Sequence, residues 1–410
     1  MAVETTVKTI GSTGTFSTPQ LWEDGAPASL TTAERSACTT FLVATFVQGE
    51  SLTFVGSGAT GVMLDTDSTG VGTGTYMTYG ITAGNPAASD VITGTSTATC
   101  ILTSGTPDFT GVIWQGQCQN QEFSGAVQIL LISGSTTSAT AYKKCTTVAG
   151  ASFMDNANIQ SSALRYNAAN GCGFRSTGNA LTVLQATENF CRVSSLQIAG
   201  TGTDARATAS SDTGLFDFLI AEGTYTGVSS TLGTVIAANN GSSYRNCLIV
   251  LRATGADHIV ATGAASPNFY NCTFVAPDDL ATAPTNIFLS GASGTVTVQN
   301  CGLFAGDSTK AIKAGSATYN FTTCYSDISG TGGVTQTTYA NEFQNVNDAT
   351  RDFRIKTGAS QIDTGTTDAT NAATDIAGTA RPSGAAYDVG AWELVVTLPV
   401  TNSFSPAMCF

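Results

Sequence analysis

The chain has 410 residues, of which 42% are apolar and only 11% charged, with 44 glycines and a formal net charge of −13. So few Lys, Glu, Leu and Arg residues exclude a fold of long amphipathic helices and favour an all-β protein of short strands and many turns. The acidity, with sixteen basic residues spread along the sequence, excludes nucleic-acid binding by phosphate neutralisation.

No run approaches the ~18 apolar residues of a membrane helix, and the start, MAVETTVKTIGSTGTF, lacks the basic and apolar regions of a secretory leader. A protein folded in a reducing cytosol is expected. Eleven cysteines, an odd number without a C-x-x-C pair, together with the single His258, argue against a disulfide framework and against zinc. The cysteines read as small buried apolar residues.

In chain order, Thr18 to Asp24 predict a short helix with Thr18 as N-cap and Pro19 in its first turn. The run from Val7 to Asp24 is similar to the T-I-G-x-G-x-D-Y-x-T-L-x-A-W-E-x-A opening that precedes β-helices in phage and environmental sequences, with Thr15 where an acidic residue is common. Residues 1–44 are expected to form a cap or attachment segment.

From 45 to 145 the texture changes. Gly49-Glu50-Ser51-Leu52-Thr53-Phe54-Val55 is echoed at Ser89-Asp90-Val91-Ile92-Thr93-Gly94 and around Ala126 to Ala141, with starts about forty residues apart, longer than a solenoid coil. The pattern resembles the G-E-x-I-x-G-x-T-S-G-A-T-A hairpin repeats of phage tail and fibre proteins. It predicts a small β module inserted into or beside the start of a β-helix. Asp65-Thr66-Asp67 opens like a calcium loop, but Tyr76 stands where the bidentate Glu belongs, so a turn is expected.

Residues 146–393 carry a solenoid period. Asn246-Cys247, Asn271-Cys272 and Asn300-Cys301 are followed by Cys324, at successive intervals of 25, 29 and 23 residues. Cys191 lies 56 residues before Cys247, two coils of 28, with the skipped coil at Phe216 to Ile220. Units of this length bury an apolar face only by stacking, and short strands between Gly, Asn and Ser turns select a β-solenoid. Cys191, Cys247, Cys272, Cys301 and Cys324 are expected as an inward column. Asn246, Asn271 and Asn300 are expected at the corner, where Asn tolerates left-handed backbone angles and can ladder its amide.

The region closes with Asp352-Phe353-Arg354-Ile355, Gln361-Ile362-Asp363-Thr364-Gly365, Asp375-Ile376-Ala377-Gly378 with Arg381-Pro382, and Asp388-Val389-Gly390-Ala391-Trp392-Glu393. This resembles the end of bacterial and bacteriophage right-handed parallel β-helix proteins, with Trp392 in place of the usual Tyr. The resemblance implies a right-handed parallel β-helix ending in a cap formed by Asp375, Arg381, Asp388 and Trp392, expected to cover the open end of the stack. The apolar tail, 394–410, is expected to dock on a neighbour.

Asp204, Arg206, Asp212, Asp217 and Glu222 form the densest group of chemistry-bearing residues. Asp217 and Glu222 are the candidates for the two carboxyls of a glycosidase, although both also fit as ordinary turn residues flanking an apolar strand. Asp257-His258 has no nucleophile beside it. No catalytic, cofactor or metal site is assigned.

The resemblances imply a structural component of a bacteriophage or phage-like virion, either a tail or fibre component or a capsid decoration protein. A homotrimer contacting other virion proteins is expected, with a host surface glycan as a further partner and neither nucleic acid nor membrane. The alternatives are a polysaccharide-binding or polysaccharide-degrading tailspike and a secreted adhesin.

Overall fold

The computed structural model describes residues 2–395 apart from 43–45, 48, 67–74, 105–108, 156–161, 203–205, 211–212, 224–233, 239–240, 253–257, 263–265, 279–283 and 291–292. Its main body is a parallel β-helix with three sheets. Each coil gives one strand to each sheet: Ser243–Arg245 to the first, Leu248–Leu251 to the second and His258–Thr262 to the third. The chain then returns to Asn268–Tyr270, in parallel register on Ser243–Arg245. Seven complete coils run from Phe109–Cys118 to Ala311–Gly315; Thr318–Thr322 and Cys324–Ser326 begin an eighth, and Val334–Gln336 adds one more strand to the second sheet, in parallel on Cys324–Ser326.

Strand alternation explains the first sheet. Val193, Phe216, Tyr244, Phe269 and Val298 occupy one register position and are buried. Neighbouring strands lie ~4.8 Å apart, so aromatic rings at equivalent positions stack along the axis. The Phe216 and Tyr244 centroids are 4.7 Å apart and nearly parallel.

The solenoid begins well before residue 146. Ala2–Ile10 pairs in parallel with Phe109–Cys118, which pairs with Lys143–Thr147. Glu122–Gly125 and Leu130–Ile132 already belong to the second and third sheets. The third sequence echo, near Ala126, is therefore part of a coil.

Between Ala2–Ile10 and Phe109–Cys118 the chain forms an inserted antiparallel barrel of Glu34–Leu42, Ser51–Val55, Thr60–Thr66, Thr75–Ala83, Val91–Gly94 and Thr99–Leu102. It closes because Glu34–Leu42 pairs with both Thr75–Ala83 and Thr99–Leu102. Phe54, Met63, Met77, Tyr79 and Ile92 fill it. The two repeats cap each other's turns. Glu50 accepts the Ser96 N–H (2.8 Å) from the second hairpin, and Asp90 accepts the Ser57 N–H (3.0 Å) from the first. Of the residues read as a calcium loop, 67–74 lie outside the described residues, and Thr60–Thr66 and Thr75–Ala83 form an antiparallel pair.

Helix Pro19–Asp24 forms as the capping residues predict, with the Thr18 side chain accepting the Leu21 N–H. It crosses the first edge of the third sheet. Gln20 Oε1 accepts the Leu131 N–H (2.8 Å) and Glu23 Oε1 the Ser133 N–H (2.9 Å), so backbone donors that would recruit another strand are occupied.

The closing segment corrects an expectation. Residues 337–395 do not cover the open end; they run back along the outer face of the second sheet as a strap. Ile220, Leu248, Val250, Val275, Phe304 and Tyr325 pack there against Tyr339, Phe343, Phe353, Ile376, Val389 and Trp392. A sheet buried on both faces reads as a continuous apolar run, and Leu248-Ile249-Val250-Leu251 is such a run, buried throughout. At the far end Lys313 stands in register with the core residue Phe288. Its ammonium lies 5.4 Å from the Tyr319 ring centroid, a charge at the last core position that discourages further stacking. Beyond Val395 the apolar tail expected to dock lies outside the described residues.

Candidate functional site

The corner between the first and second sheets is the most regular feature of the molecule. One residue per coil takes a left-handed conformation: Ser195 (φ 64°), Phe218 (53°), Asn246 (49°), Asn271 (51°), Asn300 (52°) and Thr323 (51°). The next residues, Leu196, Leu219, Cys247, Cys272, Cys301 and Cys324, are buried. The Leu196, Leu219, Cys247, Cys272 and Cys301 carbonyls accept N–H groups from the coil above.

Cys191 is not in this column, contrary to the spacing argument. It follows Phe190 (φ 59°) and precedes the first-sheet strand Arg192–Ser194, and Leu196 holds the column position in its coil. Coil length varies along the stack, so a separation of two average coils does not identify an equivalent corner.

The column thiols act as donors. Cys247 Sγ donates to Arg245 O (3.0 Å), Cys272 Sγ to Tyr244 O (3.4 Å) and Cys324 Sγ to Val298 O (3.4 Å). Burial pushes the Cys247, Cys272 and Cys301 thiols well above the usual range. They stay protonated, which suits a corner hydrogen bond and opposes thiolate chemistry. The amide ladder is partial. Asn300 Nδ2 donates to Asn271 Oδ1 and Asn246 Nδ2 to Asp217 Oδ1, each at 3.3 Å. The strap grips the top of the ladder, where Asn300 exchanges hydrogen bonds with the Thr366 backbone (2.7 and 2.9 Å).

Asp217 and Glu222 are held apart by this corner. Asp217 ends a first-sheet strand and its carboxyl is pushed up to about 6, chiefly by burial, against the lowering influence of Asn246 and Arg245. Glu222, 3% exposed, lies under the strap. It accepts a bidentate pair from Arg351 (2.7 and 3.0 Å) and the Tyr166 N–H (2.9 Å), with Arg252 at 3.8 Å. The two share no partner, and Glu222 fastens the strap to the coils. Arg206 starts a third-sheet strand, and His258 is buried in another, in register with Asn286. Asp204, Asp212 and Asp257 lie outside the described residues.

The motif residues of the strap form one buried cluster. Arg381 donates to the Asp388 and Gly390 carbonyls (2.8 and 2.7 Å) and lies 3.7 Å from Glu393. Asp375 accepts the Thr379 and Glu393 N–H groups, Asp388 those of Asp363 and Leu394, and Glu393 those of Ser383 and Asp388. Each carboxylate fixes a loop, and Trp392 packs into the apolar layer below.

With its second sheet under the strap, the solenoid presents the outer face of the first sheet. Lys144, Arg192, Leu215, Ser243 and Asn268 form one outward ladder, and Ser194, Asp217, Arg245 and Tyr270 the next. Arg192 lies over the Tyr142 ring, 4.1 Å from its centroid. Beside it opens a cleft of about 190 Å³ lined by Phe190, Arg192, Thr213, Leu215, Ser243 and Arg245. Sequence reading passed over this face because its basic residues are scattered along the chain and meet only through the coil register. Among the described residues, no group of three or more His, Cys, Asp or Glu side chains is placed to hold a metal ion, and no helix is long and apolar enough to cross a membrane. Compared with known proteins, the chain matches no family model, no curated protein and no solved structure.

Proposed function

We propose that this chain is a structural component of a bacteriophage or phage-like particle, a tail or fibre component or a capsid decoration protein, working as a homotrimer in the virion. The observation that carries the reading is the use made of the acidic residues. Glu222 holds the strap, Asp375, Asp388 and Glu393 hold its loops, and Glu23 and Glu188 hold the first coils. A glycosidase needs two carboxyls facing one substrate bond, and the sequence candidates do not make such a pair. The edges of the third sheet support the same reading, because a helix occupies backbone donors of its first strand and Lys313 stands on its last, both of which discourage further stacking. The phage-type textures at Val7 to Asp24 and in the two hairpin repeats supply the particle context.

Mass spectrometry of purified particles from the source strain tests this. The chain is expected in the particle at a fixed ratio to the other structural proteins, and its absence from particles overturns the proposal. Analytical ultracentrifugation checks the trimer, for which a monomer at micromolar concentration is the contrary result.

A further inference from the structure

We propose that the inserted barrel holds one Cu(I) ion between the Cys38 and Cys100 thiols and the Met77 thioether. Three strands bring these sulfurs together: Glu34–Leu42 supplies Cys38, Thr75–Ala83 supplies Met77 and Thr99–Leu102 supplies Cys100. They meet at the seam that closes the barrel, where Cys38 pairs with Thr75 on one side and Leu102 on the other. All three side chains are buried in the barrel core. Cys100 Sγ donates to Met77 Sδ at 3.0 Å, and the Cys38 thiol hydrogen-bonds to Cys100. A thioether is a weak acceptor, and the approach of Cys38 Sγ to the Ser36 carbonyl is long at 3.9 Å, so neither thiol is well satisfied. The corner thiols Cys247, Cys272 and Cys324 differ, since each donates to a closer backbone carbonyl. The inference does not depend on the particle reading.

Ligand type chooses the ion. Thiolate and thioether sulfurs select Cu(I), whereas structural zinc asks for four ligands and the hard divalent cations ask for oxygen. Charge makes the same choice. Contact with Cys38 and burial push the Cys100 thiol well above its usual range, which opposes a bare thiolate. Cu(I) carries the same single charge as a proton, so its exchange for the Cys100 proton leaves the buried charge unchanged. The S–H bond breaks, an S–Cu bond forms and the proton leaves to solvent, with no change of oxidation state. Cys38 as a neutral thiol and the Met77 thioether complete the coordination. Three sulfurs bonded to one ion at about 2.3 Å lie about 4 Å apart, so the Met77 sulfur must withdraw by about 1 Å, which an unbranched side chain allows. Pairing between Thr39 and Leu42, beside Cys38, is irregular, and that stretch of seam is where the wall opens to admit the ion.

The test uses the full chain, reduced and kept from oxygen, titrated against Cu(I) held by the coloured chelator bicinchoninate. The parent is expected to withdraw one Cu(I) per chain, and X-ray absorption should then show three sulfur neighbours. Copper should also slow amide exchange in Glu34–Leu42, Thr75–Ala83 and Thr99–Leu102, because the ion ties the three strands together. Met77→Leu conserves volume and should keep the fold. It should reduce the sulfur count to two and weaken binding about tenfold or more, since even the outer partners of a metal contribute that much. Cys100→Ser should abolish binding, while Cys118→Ser, which breaks the thiol pair of Cys118 with Cys145 in the first coils, should leave it unchanged. The proposal is overturned if the parent withdraws no copper, if Met77→Leu binds with the parent's affinity and sulfur count, if Cys100→Ser binds like the parent, or if Cys118→Ser loses the ion.

Discussion

Two of the buried ionic clusters, one in the first coils and one within the strap, are built in opposite ways. Lys143, 1% exposed, lies between Glu23 (2.5 Å) and Glu188 (3.2 Å) and also donates to the Ser133 carbonyl. It joins the cap helix to two coils across 120 and 45 positions of sequence. Arg381 instead gathers Asp375, Asp388 and Glu393 from its own loop segment. No spacing rule links 23, 143 and 188, so the first cluster leaves no trace in the sequence. In the second, each carboxylate serves an amide a few residues away, and that economy makes it readable as a motif.

The largest expected effects come from breaking the two clusters. Lys143→Met leaves Glu23 and Glu188 buried without their cation, which costs on the order of 3–5 kcal/mol. Because Glu23 also caps the Ser133 N–H, the loss should release the helix and expose the first coils. Trp22 and Trp114 are buried at this end and Trp392 in the strap, so fluorescence in a Trp392→Phe background reports the N-terminal end alone. Denaturant titration should show its midpoint falling sharply. Arg381→Met should cost a similar amount but act locally, moving the Trp392 signal first while the coils stay folded. Equal loss at both ends in either variant would show that strap and coils unfold as one unit, and the contrast between the clusters would fail.

A smaller effect separates the strap's charge from its apolar packing. Glu222→Gln keeps the shape but removes the ionised acceptor of the Arg351 bidentate pair, at a cost of about 1–3 kcal/mol. Amide exchange in Phe343–Asn345 and Asp352–Ile355 should quicken, and exchange in the first-sheet strands should not. Uniform quickening would mean that Glu222 supports the coil itself rather than its cover.

The barrel and the solenoid should also part company with pH. Burial is the main cause raising Asp388 and Asp217 to about 6. A carboxyl whose pKa is higher in the folded state holds its proton more tightly there. Its stabilising contribution is complete below the ordinary value and disappears as pH rises through about 6. Glu50 and Asp90 run the other way, for although burial pushes them up, hydrogen bonds from Ser96 and Val47, and from Ser57 and Ala87, hold them below their ordinary values. Their contribution is complete above the ordinary carboxylate range and disappears as pH falls through it. Scanning calorimetry should therefore show the solenoid melting a few degrees higher at pH 5 than at pH 7.5, while amide exchange at the two barrel turns capped by Glu50 and Asp90 quickens on the acid side, below the ordinary carboxylate range. Capped turns at Ser57 and Ser96 that loosened on the alkaline side would contradict the reciprocal turn caps.

What could be read from sequence follows the same division. The Asn-Cys corner was legible because one backbone requirement, a left-handed residue followed by a small buried one, recurs at Asn246, Asn271 and Asn300. It misled at Cys191, where residue type matched but the corner did not. The strap motif was legible while its position was not, because Asp375 and Arg381 report their own loop and say nothing of where that loop lies. The unused clue was Leu248 to Leu251, too apolar for a strand with one open face. Arg192 and Arg245 were invisible as a pair because their meeting depends on stacking register, which only the folded coils supply.

The smallest effect tests the corner directly and should be a gain. Thr323 holds the left-handed position one coil beyond Asn300, and a β-branched residue is poorly suited to that conformation. Asn tolerates it and would bring an amide to the end of the ladder. Thr323→Asn should therefore stabilise the last coil by up to about 1 kcal/mol, set against the loss of the Thr323–Thr366 hydroxyl contact at 2.8 Å. Thr323→Ala removes the same contact without the Asn amide and should be neutral or slightly destabilising. Measured side by side by denaturant midpoint, the two variants separate the corner's backbone preference from the strap's grip. If Asn is no better than Ala, backbone conformation is not what selects Asn at this corner, and the column owes its regularity to the strap that holds Asn300.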